Sequence, residues 1–457
     1  MSDIFGSVWW LIVTLGVLIT FHEYGHFIVA RRCGIKVLKF SVGFGPALWS
    51  RFDRHGTQFV IAAIPLGGYV KMLDSREVDG VVGPTALAGA FDRKSVGQRM
   101  AVTAAGPAFN LIFTVVALWL MFVVGKPDYQ PVVGETDRLA AEAGFRPGDR
   151  VESIAGRRID TWTDATQQVL MAALDRRDLG VTVREADGAT RTRTLALSKL
   201  PADLGERELV QAIGLAPRPL PVPPVIGSVS ADSAAAAAGL QAGDRIQSIG
   251  GDPIGDWREV RDAVQRHAAA GGAVDFVVVR DGRTLTLATH PKAAPADAAD
   301  AAGKPQWLVG IAAQPIEPHY DATLRYGPIA ALGKALGATW DQTRDTLVML
   351  GRMVTGQASI KNLSGVITIG QVANESAKLG FAWFLSFLAA ISLSLAILNL
   401  LPIPILDGGG LLYYLIELIK GSPLSERVQV AGQYVGLVLL MGLMSLALYN
   451  DILRNVS

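Results

Sequence analysis

The chain has 457 residues, half of them apolar and only 18% charged, which is oily for a soluble protein of this size and points to a membrane protein with an extramembrane part. A formal net charge of +1 with no Lys/Arg block argues against nucleic acid as a partner. The single cysteine, Cys33, excludes an intramolecular disulfide.

The first predicted element is a spanning helix over Ile4 to Ala30, since about 20 apolar residues at 1.5 Å rise cross a hydrocarbon core of ~30 Å. It is longer than a signal peptide, lacks a basic leader and ends in Arg31 and Arg32, so it is expected to be retained. Its last turns read "FHEYGHFIVARR" (21–32) and hold H-E-x-x-H, His22 to His26. On a helix, residues i and i+4 share a face one turn apart. The two imidazoles can therefore take one zinc, with Glu23 beside them to accept a proton from the attacking water. Ionisable groups at membrane depth are costly and by default functional. A helix end at the interface, with its polar groups snorkelling, would also place them here, but it does not account for the spacing.

The loop from 31 to 99 carries eleven Lys and Arg, and a second spanning helix, Met100 to Val124, follows with no charge at all. Beyond it, the long segment from about 126 to 372 contains an internal repeat. "AGFRPGDRVESIAGRRIDTWTDA" (143–165) aligns without gaps on "AGLQAGDRIQSIGGDPIGDWREV" (238–260) at an offset of 95 residues. Each copy predicts a Gly-Asp turn, a short strand and a helix (near 164–175 and 258–269). A hairpin through Asp187-Gly188 or Asp281-Gly282 and a closing strand ("VQAIGLAP", "WLVGIAAQP") complete it. "PRPLPVPP" (217–224) is a stiff connector, and "KAAPADAADAAGK" (292–304) has the composition of a flexible insertion. Residues 326 to 356 are patterned as an amphipathic helix, at the outer membrane boundary or packed in the ordinary way.

The third spanning helix, Leu379 to Leu400, closes on "LNLLPIPILDGGG" (398–410), and the fourth covers roughly Val428 to Leu448, after a short loop with Lys420 and Arg427. Both basic loops face the cytoplasm by the positive-inside rule, which leaves the termini and the repeat on the other side. Prolines within hydrocarbon require backbone that is buried in protein or lines a wet cavity, and the glycines let the chain turn closely. H-E-x-x-H and Asp407 then lie at the same membrane end, so Asp407 is the candidate third ligand that a catalytic zinc needs. A cap for the following helix is the other reading of Asp407.

Two family resemblances sit on these residues. The repeat, A-G-h-x-x-G-D-x-I followed by strand, helix and hairpin, resembles the PDZ domain in its bacterial, circularly permuted form, which implies a groove taking peptide ends by strand addition. Spacer domains are the plainer alternative. H-E-x-x-H in the first span with N-x-x-P-x-P-x-L-D-G in the third resembles the site-2 protease family of intramembrane zinc metalloproteases. The whole layout is similar to its bacterial RseP-type branch, the regulators of sigma-E. "ARRCGIKVLKFSVGFGP", "IPLGGYVKM", "AAGPAFN" (104–110) and "KNLSG" (361–365) agree with it.

The resemblance implies a four-transmembrane-helix catalytic core with a membrane-associated β element, plus two tandem PDZ (α+β) domains outside the membrane. The expected boundaries are 1–125 for the first two spans, 126–218 and 222–316 for the PDZ copies, 317–372 for the amphipathic linker and 373–457 for the last two spans. It implies Zn2+ held by His22, His26 and Asp407, with Glu23 as general base and Asn399 helping to hold the substrate backbone or the oxyanion. Gly67, Gly68, Tyr69 and Val70 would present a strand edge to an unwound substrate. Single-pass membrane proteins of the anti-sigma-factor type and signal-peptide remnants would be the substrates, in a bacterial inner membrane. The catalytic side would be cytoplasmic and the PDZ copies periplasmic. Gly410 and Val366 stand where the family commonly has histidine and proline, which bears on local packing. The competing classes are an ion or proton transporter using the same polar residues, and a PDZ scaffold with a structural metal.

Overall fold

The computed structural model describes residues 2–76, 87–201, 206–268, 272–294, 306–314, 320–355 and 365–456. Residues 361–364 of "KNLSG", most of the 292–304 insertion and His319 lie outside these. Two units are distinguished: Met1–Asp128 with Thr323–Ser457, and Tyr129–Ala322.

The first unit is helical around one small sheet. Helix α1 (Ser2–Arg32) runs into strands β1 (Val37–Phe52) and β2 (Gln58–Met72), then α2 (Val96–Val124). After the second unit come α3 (Pro328–Val354), α4 (Val366–Lys378), α5 (Phe381–Leu400), α6 (Asp407–Lys420) and α7 (Glu426–Val456). Among the described residues, four helices are long and apolar enough to cross a membrane, in α1, α2, α5 and α7. They match the four expected spans, and α2 starts earlier than expected, at a capping box in which the Ser95 hydroxyl accepts from Gln98 N–H and the Gln98 side chain reaches back. The expected short loop before the last span is in fact largely helical, because "LLYYLIELIK" carries apolar residues at helical spacing behind the Asp407 start.

Close helix contacts are made by small residues. At Gly25 an added Cβ would collide with the Ala105 carbonyl of α2, and at Gly436 of α7 with the Pro404 carbonyl. Asp451, fully buried in α7, accepts from the N–H groups of Gly365, Ile367 and Thr368 and so caps α4. Helix α3 buries Ala331 and Ala335 against Leu118 and Phe122 of α2, leaving Ile329, Leu336 and Trp340 exposed.

Strands β1 and β2 fold on each other twice. Run 39–42 pairs on one side with 58–61 and on the other with 71–68, while 47–52 pairs back onto 62–58. Run 68–71 is therefore an outer strand. Leu48, Trp49 and Phe52 are exposed on this sheet.

In the second unit both copies have the same layout. Strands Arg150–Ile154 and Arg245–Ile249 each stand next to the hairpin Leu179–Arg184/Thr190–Leu195 or Val274–Arg280/Arg283–Thr289. Helices Trp162–Leu174 and Trp257–Ala268 start at the equivalent tryptophans. The matched glycines explain the repeat: Gly144 and Gly239 have φ of 83° and 81°, and Gly148 and Gly243 have 93° and 91°. This left-handed backbone favours glycine. Each copy encloses its own apolar core.

Two expectations change here. "VQAIGLAP" is not one closing strand, since Glu206–Ile213 is a helix and only Leu215–Pro217 is extended. Leu209 and Ile213, four apart and buried, belong to one helical face. In the second copy, Gly310 (φ 86°) splits the closing segment into Trp307–Leu308 and Ile311–Ala313.

Candidate metal centre

His22 and His26 lie on one face of α1, and Asp407 is the first residue of α6, brought back by the turn at 401–406. The glycines after it have a physical cause. An added Cβ at Gly408 would run into the Leu400 and Leu401 carbonyls, and one at Gly409 into the Ile403 carbonyl. Only glycine lets the helix start so close under the chain that feeds it. Gly410 is different: an added Cβ would meet only Thr103 Cγ2, at 3.5 Å, in ordinary contact.

The donor atoms converge. His22 Nε2 and His26 Nε2 are 3.2 Å apart, and Asp407 Oδ2 is 3.1 Å from the first and 3.5 Å from the second. A tetrahedral zinc with bonds of ~2.05 Å separates its ligands by roughly 3.3 Å, so this donor set fits the ion in chemistry and in size. Among the described residues it is the one group of three or more His, Cys, Asp or Glu able to hold a metal. The imidazoles are 12% exposed and the carboxylate 21%, so the three donors are largely sheltered. Asp407 does not act as a helix cap through its side chain: the capping position is Leu406, without a side-chain bond.

Helix α2 forms the back of the centre. A Cβ at Gly106 would collide with His26 Nε2 and come within 2.7 Å of His22 Nε2, so glycine is required for the helix to lie against both rings. The Val102 carbonyl is 2.8 Å from His26 Nδ1, which donates to it and leaves Nε2 with its lone pair. Behind His22, the fully buried Asn110 carboxamide is 3.2 Å from Nδ1. Its nitrogen faces the ring and Oδ1 has no hydrogen-bond partner among the described residues. The two ends of a carboxamide have the same shape. Turning it lets Oδ1 accept from the His22 Nδ1–H, which pairs the orphaned oxygen and frees Nε2 for a metal.

The remaining expected residues divide. Glu23 stands beside run 68–71, where a Cβ on Gly68 would come within 3.4 Å of Glu23 Cγ. Gly67 (φ 139°) packs under the Phe44 ring, and Tyr69 stacks on Phe44 with centroids 6.1 Å apart. Gly68 to Val70 thus form an outer strand beside the candidate base. Asn399 occupies the last turn of α5, partly buried, with no described side-chain contact to the three donors. Gly106 and Asn110 were missed as site residues. The available signal was a lone amide in an otherwise uncharged span, inside the stretch "AAGPAFN".

The sequence pattern of peptidase family M50 matches residues 10–443. The chain is 46% identical over 454 residues to a Xylella fastidiosa (strain 9a5c) protein named as a zinc metalloprotease, covering 99% of this chain and 100% of that one. It is 43% identical over 448 residues to the regulator of sigma-E protease RseP of Escherichia coli K12, covering 97% of each. With protease RseP of Yersinia pestis the identity is 40% over 460 residues, covering 99% of this chain and all of the relative.

Proposed function

The chain belongs to peptidase family M50 and is a membrane zinc metalloprotease, and from that premise we propose that it cleaves peptide bonds within transmembrane segments, with His22, His26 and Asp407 as zinc ligands and Glu23 as general base. The observation that carries this reading is the meeting of three donor atoms at zinc-ligand separations, next to Glu23 and an outer strand. When bound, zinc supplies a Lewis acid that polarises a carbonyl and acidifies water. Glu23 takes the proton of the attacking water and delivers it to the leaving amine. A substrate helix has to unwind before its amides can react, and the strand edge at Gly67, Gly68, Tyr69 and Val70 offers the hydrogen bonds that unwinding removes. Asn399, at the end of α5, is assigned to the substrate backbone or the oxyanion.

The repeated extramembrane copies, 126–218 and 222–316, are read as PDZ domains that select or exclude substrates. In the first, a cleft between helix Trp162–Leu174 and strand Leu215–Pro217 is lined by Thr166, Val169 and Leu170, with Val210 and Ile213 narrowing it. The name regulator of sigma-E protease borne by relatives favours single-pass anti-sigma factors as substrates, and the family resemblance adds signal-peptide remnants as a second class. The basic loops favour a zinc centre toward the cytoplasm with the copies on the opposite side, and the kinship with RseP of Escherichia coli favours an inner membrane, which makes that opposite side the periplasm.

The deciding experiment is Glu23→Gln, assayed on a single-pass model substrate with zinc content measured in parallel. Cleavage is expected to vanish while about one zinc per chain remains. A variant that still cuts removes Glu23 from the mechanism, and wild type without stoichiometric zinc removes the ligand set.

A further inference from the structure

A second cavity, of about 420 Å³, lies apart from the metal centre, between the end of α1 and the base of the β1–β2 sheet. Arg31, Arg32, Lys36 and His55 surround a floor that includes Ile28, Ile35 and Val37, and no carboxylate lines it. Arg31 is tied from behind by Asp53, which also accepts from the N–H groups of His55 and Thr57 and so fixes the turn forming one wall. Arg32 and Lys36 are exposed and have no carboxylate partner among the described residues. Lys94 adds a further cation, its Nζ 3.6 Å from where a Cβ on Gly34 would stand. The basin therefore holds an excess of positive charge over an apolar floor.

Its depth is marked on both walls. The apolar run of α1 ends at Ala30, immediately before Arg31 and Arg32. On the sheet, exposed Leu48, Trp49 and Phe52 immediately precede the polar turn at 53–57. Apolar surface gives way to cations toward the end of each, Arg51 already standing between Trp49 and Phe52 on the sheet, and the Arg31–Asp53 pair joins the two walls there, which is how a chain meets the headgroup layer.

We propose that this basin binds the phosphate of an anionic phospholipid in the leaflet on the side of the metal centre, with Arg32 and Lys36 as its main contacts. The glycerol end of the lipid lies over Ile28 and Ile35. A phosphate recognised this way could also come from a soluble phosphate, but the apolar floor and the depth favour the lipid. The inference rests on the cavity and the membrane boundary, and not on which residues hold zinc.

Native mass spectrometry of the purified full-length protein tests it, with phosphatidylglycerol, phosphatidylethanolamine or inorganic phosphate added at equal concentration. Wild type is expected to retain one phosphatidylglycerol in preference to the zwitterionic lipid. Arg32→Gln with Lys36→Gln should weaken that retention about thirtyfold, with zinc content unchanged. Lys420→Gln with Arg427→Gln, which removes equal charge from another loop, should leave it intact. If the first pair fails to fold, Lys36→Gln alone should still weaken retention about fivefold. Equal retention of the two lipids, an unaffected Arg32/Lys36 variant, an equal loss in the Lys420/Arg427 control, or binding of inorganic phosphate without lipid preference would each overturn the proposal.

Discussion

At the scale of single residues, the candidate site rests on a few contacts between α1, α2 and α6. His22, His26 and Asp407 stand out because ionisable groups in a membrane segment need a reason, and spacing supplies one for the first two. What stands behind the rings left no such mark. Asn110 lies 88 positions from His22 along the chain, and only the crossing of α1 and α2 at Gly25 and Gly106 brings it there. Its proposed part is to fix the His22 tautomer. Asn110→Leu should lower zinc affinity by about ten- to a hundredfold in competition with a chelator, whereas Asn110→Asp, which keeps an acceptor oxygen, should stay near wild type. Wild-type affinity in the leucine variant would show the amide to be a packing group only.

At the scale of elements, α6 carries Asp407 and has to be held in register. Arg99, at the start of α2, makes a two-pronged pair with Glu417 (3.1 and 2.7 Å) while its guanidinium lies 4.9 Å from the Tyr414 ring centroid. The pair is only 14% and 13% exposed, so breaking it costs about 3 kcal/mol. Arg99→Glu should reduce both zinc retention and thermal stability, and adding Glu417→Arg should recover much of each. No recovery in the swap would mean that the pair does not anchor the helix. The repeat offers a second case. Thr161 and Asp256, equivalent across the offset of 95, both open their helices, but only Asp256 is charged. The Arg258 guanidinium beside it pulls its carboxyl down from 3.8 to about 2. A depressed carboxyl stabilises above its unfolded pKa and loses that contribution as pH falls through the folded one. Hydrogen-exchange protection of helix Trp257–Ala268 should thus be weaker in Asp256→Asn than in wild type at pH 6, with the gap closing between about pH 4 and pH 2. A gap that does not change with pH would mean that the charge is idle.

At the scale of the whole molecule, spans and repeat were legible because both are periodic signals: long apolar runs, and glycines whose positive φ recurs at a fixed offset. Elements of mixed signal were not. The helix Glu206–Ile213 hid inside a segment that alternates like a strand, and α6 hid in what looked like a loop, since eight to fourteen residues of amphipathic chain fit either pattern until a partner surface chooses. The outer position of run 68–71 was expected from the family resemblance alone, since no periodic signal marks it: it depends on run 39–42 pairing on two sides.

Two of the proposed zinc ligands come from opposite ends of the chain, His26 and Asp407, 381 positions apart. During synthesis at about 5–20 residues per second, roughly 20–75 seconds separate the appearance of the histidines from that of the carboxylate. Throughout that interval the nascent chain would hold two of the three proposed ligands, too few for a tight catalytic site. The order of the sequence thus acts as a timer. On the proposed ligand set, the zinc centre cannot be completed until almost all of the protease has been made.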